Sequence, residues 1–142
     1  MIWIGIDVGT STGLAVWDGD RRSFVGLSTV PLWKALQTVA GYADMHKDNI
    51  TVVFEDARER KWFPAEKNLS EYRGKLMGAG SVKRDSTIWQ EFLEDNTIPF
   101  IHVPPRKGLT KWDADQFAAI TGYRGRTSEH SRDAALLVFQ RK

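Results

Sequence analysis

Four side chains of the 142-residue sequence have the types and placement to hold a divalent cation. Asp7 ends an apolar run in which Ile2, Ile4 and Ile6 alternate with Trp3 and Gly5, and Glu55 ends Val52-Val53-Phe54. A carboxylate carried inward at the end of an apolar strand is expensive unless a cation or several donors compensate it. If those two strands are adjacent and parallel, Asp7 and Glu55 face one another. Each then raises the other's pKa until a divalent ion neutralises both. His130 and Asp133 stand three residues apart, on one helix face that Ala134 and Leu137 continue toward the core. Packed beside the strand-end carboxylates, this pair completes a four-residue cation site. Each feature also has a plainer reading. Asp7 can accept amides of the turn Val8-Gly9-Thr10-Ser11-Thr12-Gly13, Glu55 can pair with Arg58 or Arg60, and His130 and Asp133 can share a surface hydrogen bond.

The elements that must position these groups follow from periodicity. The period-two run from Ile2, the segment Leu14-Ala15-Val16-Trp17 and residues 23–29 read as three strands. Asp18-Gly19-Asp20 supplies the hairpin chemistry between the last two, so the three form an antiparallel meander. Pro31 opens a helix in which Leu32, Ala35, Leu36, Val39 and Ala43 recur at helical spacing. Ile50–Glu55 reads as a buried strand, followed by a charged and aromatic loop over 58–68 and a long helix over 70–95. Residues 99–103 form a short strand stopped by Pro104-Pro105, and helices are expected over 112–121 and 129–140. The order βββαβαβαα predicts an α/β fold, a mixed five-stranded sheet flanked by helices, in one domain spanning residues 1–142.

Composition narrows the classes. The absence of cysteine excludes zinc fingers, thiol nucleophiles and disulfide scaffolds. Apolar runs of four or five residues argue against membrane spans and a signal peptide, so a cytoplasmic protein is expected. The net charge of +2 hides an uneven distribution: residues 57–84 carry 8 basic against 3 acidic side chains, and residues 104–142 carry 8 against 4. The remaining stretches are net acidic. Two basic blocks on an acidic background point to a polyanion-facing surface.

Taken in order, the motifs resemble the RuvC family of Holliday junction resolvases within the RNase H-like nucleases, in a compact or phage-type form. The matching residues are Ile4-Gly5-Ile6-Asp7-Val8-Gly9 with Thr12-Gly13-Leu14-Ala15, then Val52-Val53-Phe54-Glu55, Gly78-Ala79-Gly80, the segment 98–105 and His130-Ser131-Arg132-Asp133-Ala134-Ala135. The resemblance implies an RNase H-like fold, a homodimer, and a bacterial or phage-infected host cell. It maps the family's metal-site residues onto Asp7, Glu55, His130 and Asp133. The implied cofactor is Mg²⁺, two ions roughly 3.5–4 Å apart that activate water and stabilise the leaving oxygen, with Mn²⁺ as a substitute suited to an imidazole ligand. His130 is either such a ligand or a group that orients water and carries protons.

The implied partner is branched DNA, a four-way junction cut by paired nicks. Phosphate contacts are expected from Arg58, Arg60, Lys61 and Lys67 after the strand-end glutamate, from Arg73, Lys75, Lys83 and Arg84 on the long helix, and from Arg106, Lys107 and Lys111. Some family members open the junction with an aromatic three residues after that glutamate. Here that position is Arg58, and Trp62 and Phe63 are the nearest aromatics able to stack on bases. Met77-Gly78-Ala79-Gly80-Ser81 marks either a close helix contact with a second copy or a break in the helix. Competing readings are an ATP-binding domain of the actin, Hsp70 and sugar-kinase type, whose first phosphate loop Asp7-Val8-Gly9-Thr10-Ser11 also resembles, a catalytically silent DNA-binding domain, and a nuclease acting on other branched DNA or on RNA–DNA hybrids.

Overall fold

A computed structural model describes residues 1–59, 69–105 and 111–142, without the side chains of Leu69 and Tyr72. Strands β1 (Ile2–Asp7), β2 (Ser11–Asp18) and β3 (Ser23–Pro31) form the expected antiparallel meander. Helix α1 (Leu32–His46) leads to β4 (Ile50–Glu55), and a 3₁₀ turn (Ala57–Glu59) follows it. Helix α2 (Leu69–Asp95), strand β5 (Phe100–Val103), and helices α3 (Ala114–Thr121) and α4 (Glu129–Val138) complete the order. The sheet order is β3-β2-β1-β4-β5, with β4 parallel to both β1 and β5. This is an α/β fold with a mixed five-stranded sheet.

Alternation along the central strands divides the interior in two. Ile2, Ile4 and Ile6 join Leu14, Val16, Val52 and Phe54 beneath Ala35 and Val39 of α1 and Trp89 and Leu93 of α2. On the opposite face Ala15, Trp17 and Val53 pack against Ala134, Ala135 and Val138 of α4 and Phe117 of α3. At roughly 25 cal/mol per Å² of buried apolar surface, these two layers supply the main drive to fold.

Helix ends differ from the periodic reading by a few residues, for local reasons. Pro31 is the last residue of β3 and precedes α1, its fixed φ of −58° serving the extended ψ of 152°. Helix α3 starts at Ala114 because Asp113 caps it in a reciprocal box with Gln116, and Gly122 ends it at φ 74°. Helix α2 runs unbroken through Gly78 and Gly80. Among the described residues no helix is long and apolar enough to cross a membrane.

Candidate active site

Asp7 and Glu55 are the terminal residues of adjacent parallel strands. The register aligns Ile6 with Phe54, so the two carboxylates leave the sheet side by side. Alternation sets Asp7 on the side of Gly5 and Glu55 on the side of Val53, the face that α4 covers. Both open onto a cleft of about 360 Å³ beyond the strand ends, with Lys75, Gly78, Ala79 and Lys83 of α2 on its wall.

Two glycines let α4 reach these strand ends. A Cβ on Gly5 would lie 2.0 Å from the carbonyl oxygen of Ala134, and one on Gly13 would lie 2.0 Å from that of His130. Gly13 pairs with Asp7 across the β1–β2 ladder. Its lack of a side chain therefore serves helix packing and not only the preceding turn. The start of α4 is held by Ser128, whose hydroxyl accepts from the Ser131 amide while the Ser131 hydroxyl accepts from the Ser128 amide. A hydroxyl contact between Thr29 and Ser128 ties this cap to β3.

The result sets His130 Nδ1 2.8 Å from Asp7 Oδ2, with Asp7 28 % exposed and His130 53 %. Asp133 Oδ2 accepts from Lys111 Nζ at 2.9 Å, and Lys111 also donates to Glu129 Oε1. Burial raises the pKa of Asp7, and the negative charge of Asp133 adds to the rise. The His130 hydrogen bond and the Lys111 charge oppose it. Lys111 is pushed up by its bonds to Glu129 and Asp133, and Glu129 is held down by Lys111. Asp7 and His130 are thus in direct contact, Asp133 is close enough for its charge to act on Asp7, and Glu55 shares Asp7's cleft.

A second constellation lies just beyond β4. The donor atoms of Asp56, Glu59 and His102 all fall within 4.8 Å of one another, a spacing one divalent ion could bridge. His102 Nδ1 meets Glu59 Oε1 at 2.7 Å and lies 3.9 Å from Asp56 Oδ2. Asp56, however, is buried and already neutralised. Arg58 Nε donates to its Oδ1 at 2.8 Å, and Arg58 Nη2 to its Oδ2 at 2.6 Å. The Arg58 hydrogen bond holds the Asp56 carboxyl below its ordinary value. Sequence reasoning missed this group, since Glu59 and His102 are 43 residues apart and only the fold pairs them. It also missed Glu129, although its i,i+4 spacing from Asp133 was a readable signal.

The basic residues divide. Lys75 and Lys83 line the cleft, and Arg73 and Arg84 are exposed on the same helix. Arg58, expected on phosphate, is turned onto Asp56 and reaches Gln90 Oε1 at 2.5 Å, because a buried carboxylate needs a charged partner. Lys111 is held by two carboxylates. Arg60, Lys61, Trp62, Phe63, Lys67, Arg106 and Lys107 lie outside the described residues.

In three-dimensional structure the chain is similar to T. thermophilus RuvC in complex with Holliday junction substrate, with a TM-score of 0.59 over 99% of this chain and 92% of that chain. The fold is RuvC-like. Sequence identity over that match is 16%, so the likeness concerns the RNase H-like architecture. No family model and no curated protein sequence matches the chain.

Proposed function

We propose that residues 1–142 form a single RuvC-like nuclease domain, a metal-dependent and structure-selective endodeoxyribonuclease that resolves four-way DNA junctions by paired nicks. The observation that carries this reading is the placement of Asp7 and Glu55 on one cleft at adjacent parallel strand ends, with His130 of α4 hydrogen-bonded to Asp7. Catalytic and metal-holding roles for Asp7, Glu55, His130 and Asp133 are part of the proposal.

The donor types, three carboxylates and one imidazole, suit a hard divalent cation. A half-buried Asp7 carboxyl is raised by desolvation and by a neighbouring carboxylate, and a lysine ammonium supplies counter-charge at Asp133. The carboxylate oxygens suit Mg²⁺, while the imidazole also suits Mn²⁺. When bound, the metal supplies an activated water and stabilises the departing 3′ oxygen. Asp7, Glu55 and Asp133 present oxygens to it. His130 Nδ1 takes its orientation from Asp7 Oδ2, and the imidazole either ligates or moves a proton. Lys75 and Lys83, on the cleft wall, meet the phosphates flanking the cut, while Arg73 and Arg84, exposed about half a turn around α2 from Lys75, meet phosphates outside the cleft.

Pairing of nicks requires two active sites, and we assign dimerisation to the exposed half of α2. Met77 is 79% exposed and Leu76 41%, and a Cβ on Gly80 would meet nothing within 4 Å. A two-fold dimer matches a junction that is itself nearly two-fold. With this reading goes a proposed location in the cytoplasm of a bacterial or phage-infected cell.

The test is incubation with a four-way junction, a fork, a linear duplex and an RNA–DNA hybrid, with and without Mg²⁺ or Mn²⁺. Symmetric nicks in the junction alone are expected. Equal cutting of linear duplex would end the structure-selective reading, and preferential cutting of forks or hybrids would move the substrate.

A further inference from the structure

Lys111 bridges two carboxylates of the last helix, one of which is a proposed metal ligand. Its Nζ donates to Asp133 Oδ2 at 2.9 Å and to Glu129 Oε1. Glu129 and Asp133 stand one helical turn apart on α4, so a single ammonium fits between them. The backbone that carries Lys111 is anchored. Arg132 Nε donates to the carbonyl of Trp112 at 2.9 Å, and Asp113 caps α3. The mobile part is the lysine stem, a compact charge on four flexible carbons, with the side chain 59% exposed.

We infer that Lys111 is a resident counter-cation of the metal-free site, displaced from Asp133 when a divalent ion binds and retained nearby by Glu129. The inference rests on the metal-site reading above. Asp133 Oδ2 cannot serve an ammonium and a divalent ion at full strength together, since the two cations repel at that distance. Glu129, one turn toward the helix start and 62% exposed, keeps a hold on the ammonium after Asp133 is surrendered. Lys111 then stands beside the loaded site, where its charge faces the phosphate to be cut. In the empty site the same contact prevents Glu129 and Asp133 from repelling one another. Lys111 thus sets how much cation is needed to load the centre, which is a role separate from phosphate contact.

The experiment is a thermal-melting titration of the full chain with MnCl₂, without DNA, for wild type, Lys111→Met, Lys111→Arg and Asp7→Asn. Lys111→Met is expected to melt lower than wild type in EDTA, to gain more from Mn²⁺, and to reach its midpoint at roughly 3- to 10-fold less metal. Lys111→Arg keeps the charge and is expected at or above the wild-type midpoint. An unchanged or raised midpoint in Lys111→Met, while Asp7→Asn loses the metal response, overturns the role of Lys111 and leaves the metal site standing. No saturable Mn²⁺ response in wild type overturns both.

Discussion

Asp7 lies directly across the β1–β2 ladder from Gly13, and Gly13 touches the backbone of His130, the residue whose ring is bonded to Asp7. One missing Cβ therefore decides whether the imidazole reaches the carboxylate. Gly13→Ala forces the start of α4 outward, since the Cβ would meet a carbonyl oxygen at 2.0 Å. Overpacking of this kind costs about 1–3 kcal/mol. Urea denaturation should register that loss, and junction cutting should fall by far more than stability explains. Full activity in Gly13→Ala would mean that α4 does not need this approach.

Asp7 also opposes the fold it serves. Its carboxyl titrates above the ordinary 3.8 because burial and Asp133 penalise the charged form. Between 3.8 and the raised value the folded chain binds a proton that the unfolded chain has lost, so this group makes stability fall as pH rises through that window. Above the window the penalty is complete. Asp7→Asn removes it and should raise the melting temperature of metal-free protein at neutral pH while abolishing cutting. A melting temperature below wild type in EDTA would contradict the sign.

The Asp56–Arg58 pair works in the opposite sense. Asp56 is held below its ordinary 3.8, first by the Arg58 hydrogen bond, so its stabilisation is present above 3.8 and is lost as pH falls through the lower folded value. Arg58→Met takes the guanidinium from a buried carboxylate and should cost about 3 kcal/mol by chemical denaturation. It should leave the salt dependence of junction binding unchanged. A fall in the log–log slope of about 0.9 would instead return Arg58 to a DNA phosphate.

Two constellations contain metal-binding residue types, and they are separable. Asp7→Asn should abolish Mn²⁺-induced stabilisation, whereas His102→Ala should retain it, because Asp56 already has a cationic partner in Arg58. Calorimetric titration of both variants reads this directly. Loss of metal binding in His102→Ala with retention in Asp7→Asn would move the centre to Asp56, Glu59 and His102.

What the sequence determined by itself was local or periodic. Alternation in Ile2-Trp3-Ile4-Gly5-Ile6 announced β1 and the apolar run before Glu55 announced β4, because backbone preference and side-chain period act between near neighbours. The strand-end position of Asp7 and Glu55 was legible for the same reason. Tertiary structure alone decided which groups meet. Gly13 serves a helix contact as well as its turn, Arg58 pairs with Asp56, Glu59 meets His102, and Lys111 lies between Glu129 and Asp133. Each of these is a competition for a charged partner or a close approach across the chain. Its outcome depends on distances that exist only once strands and helices are stacked.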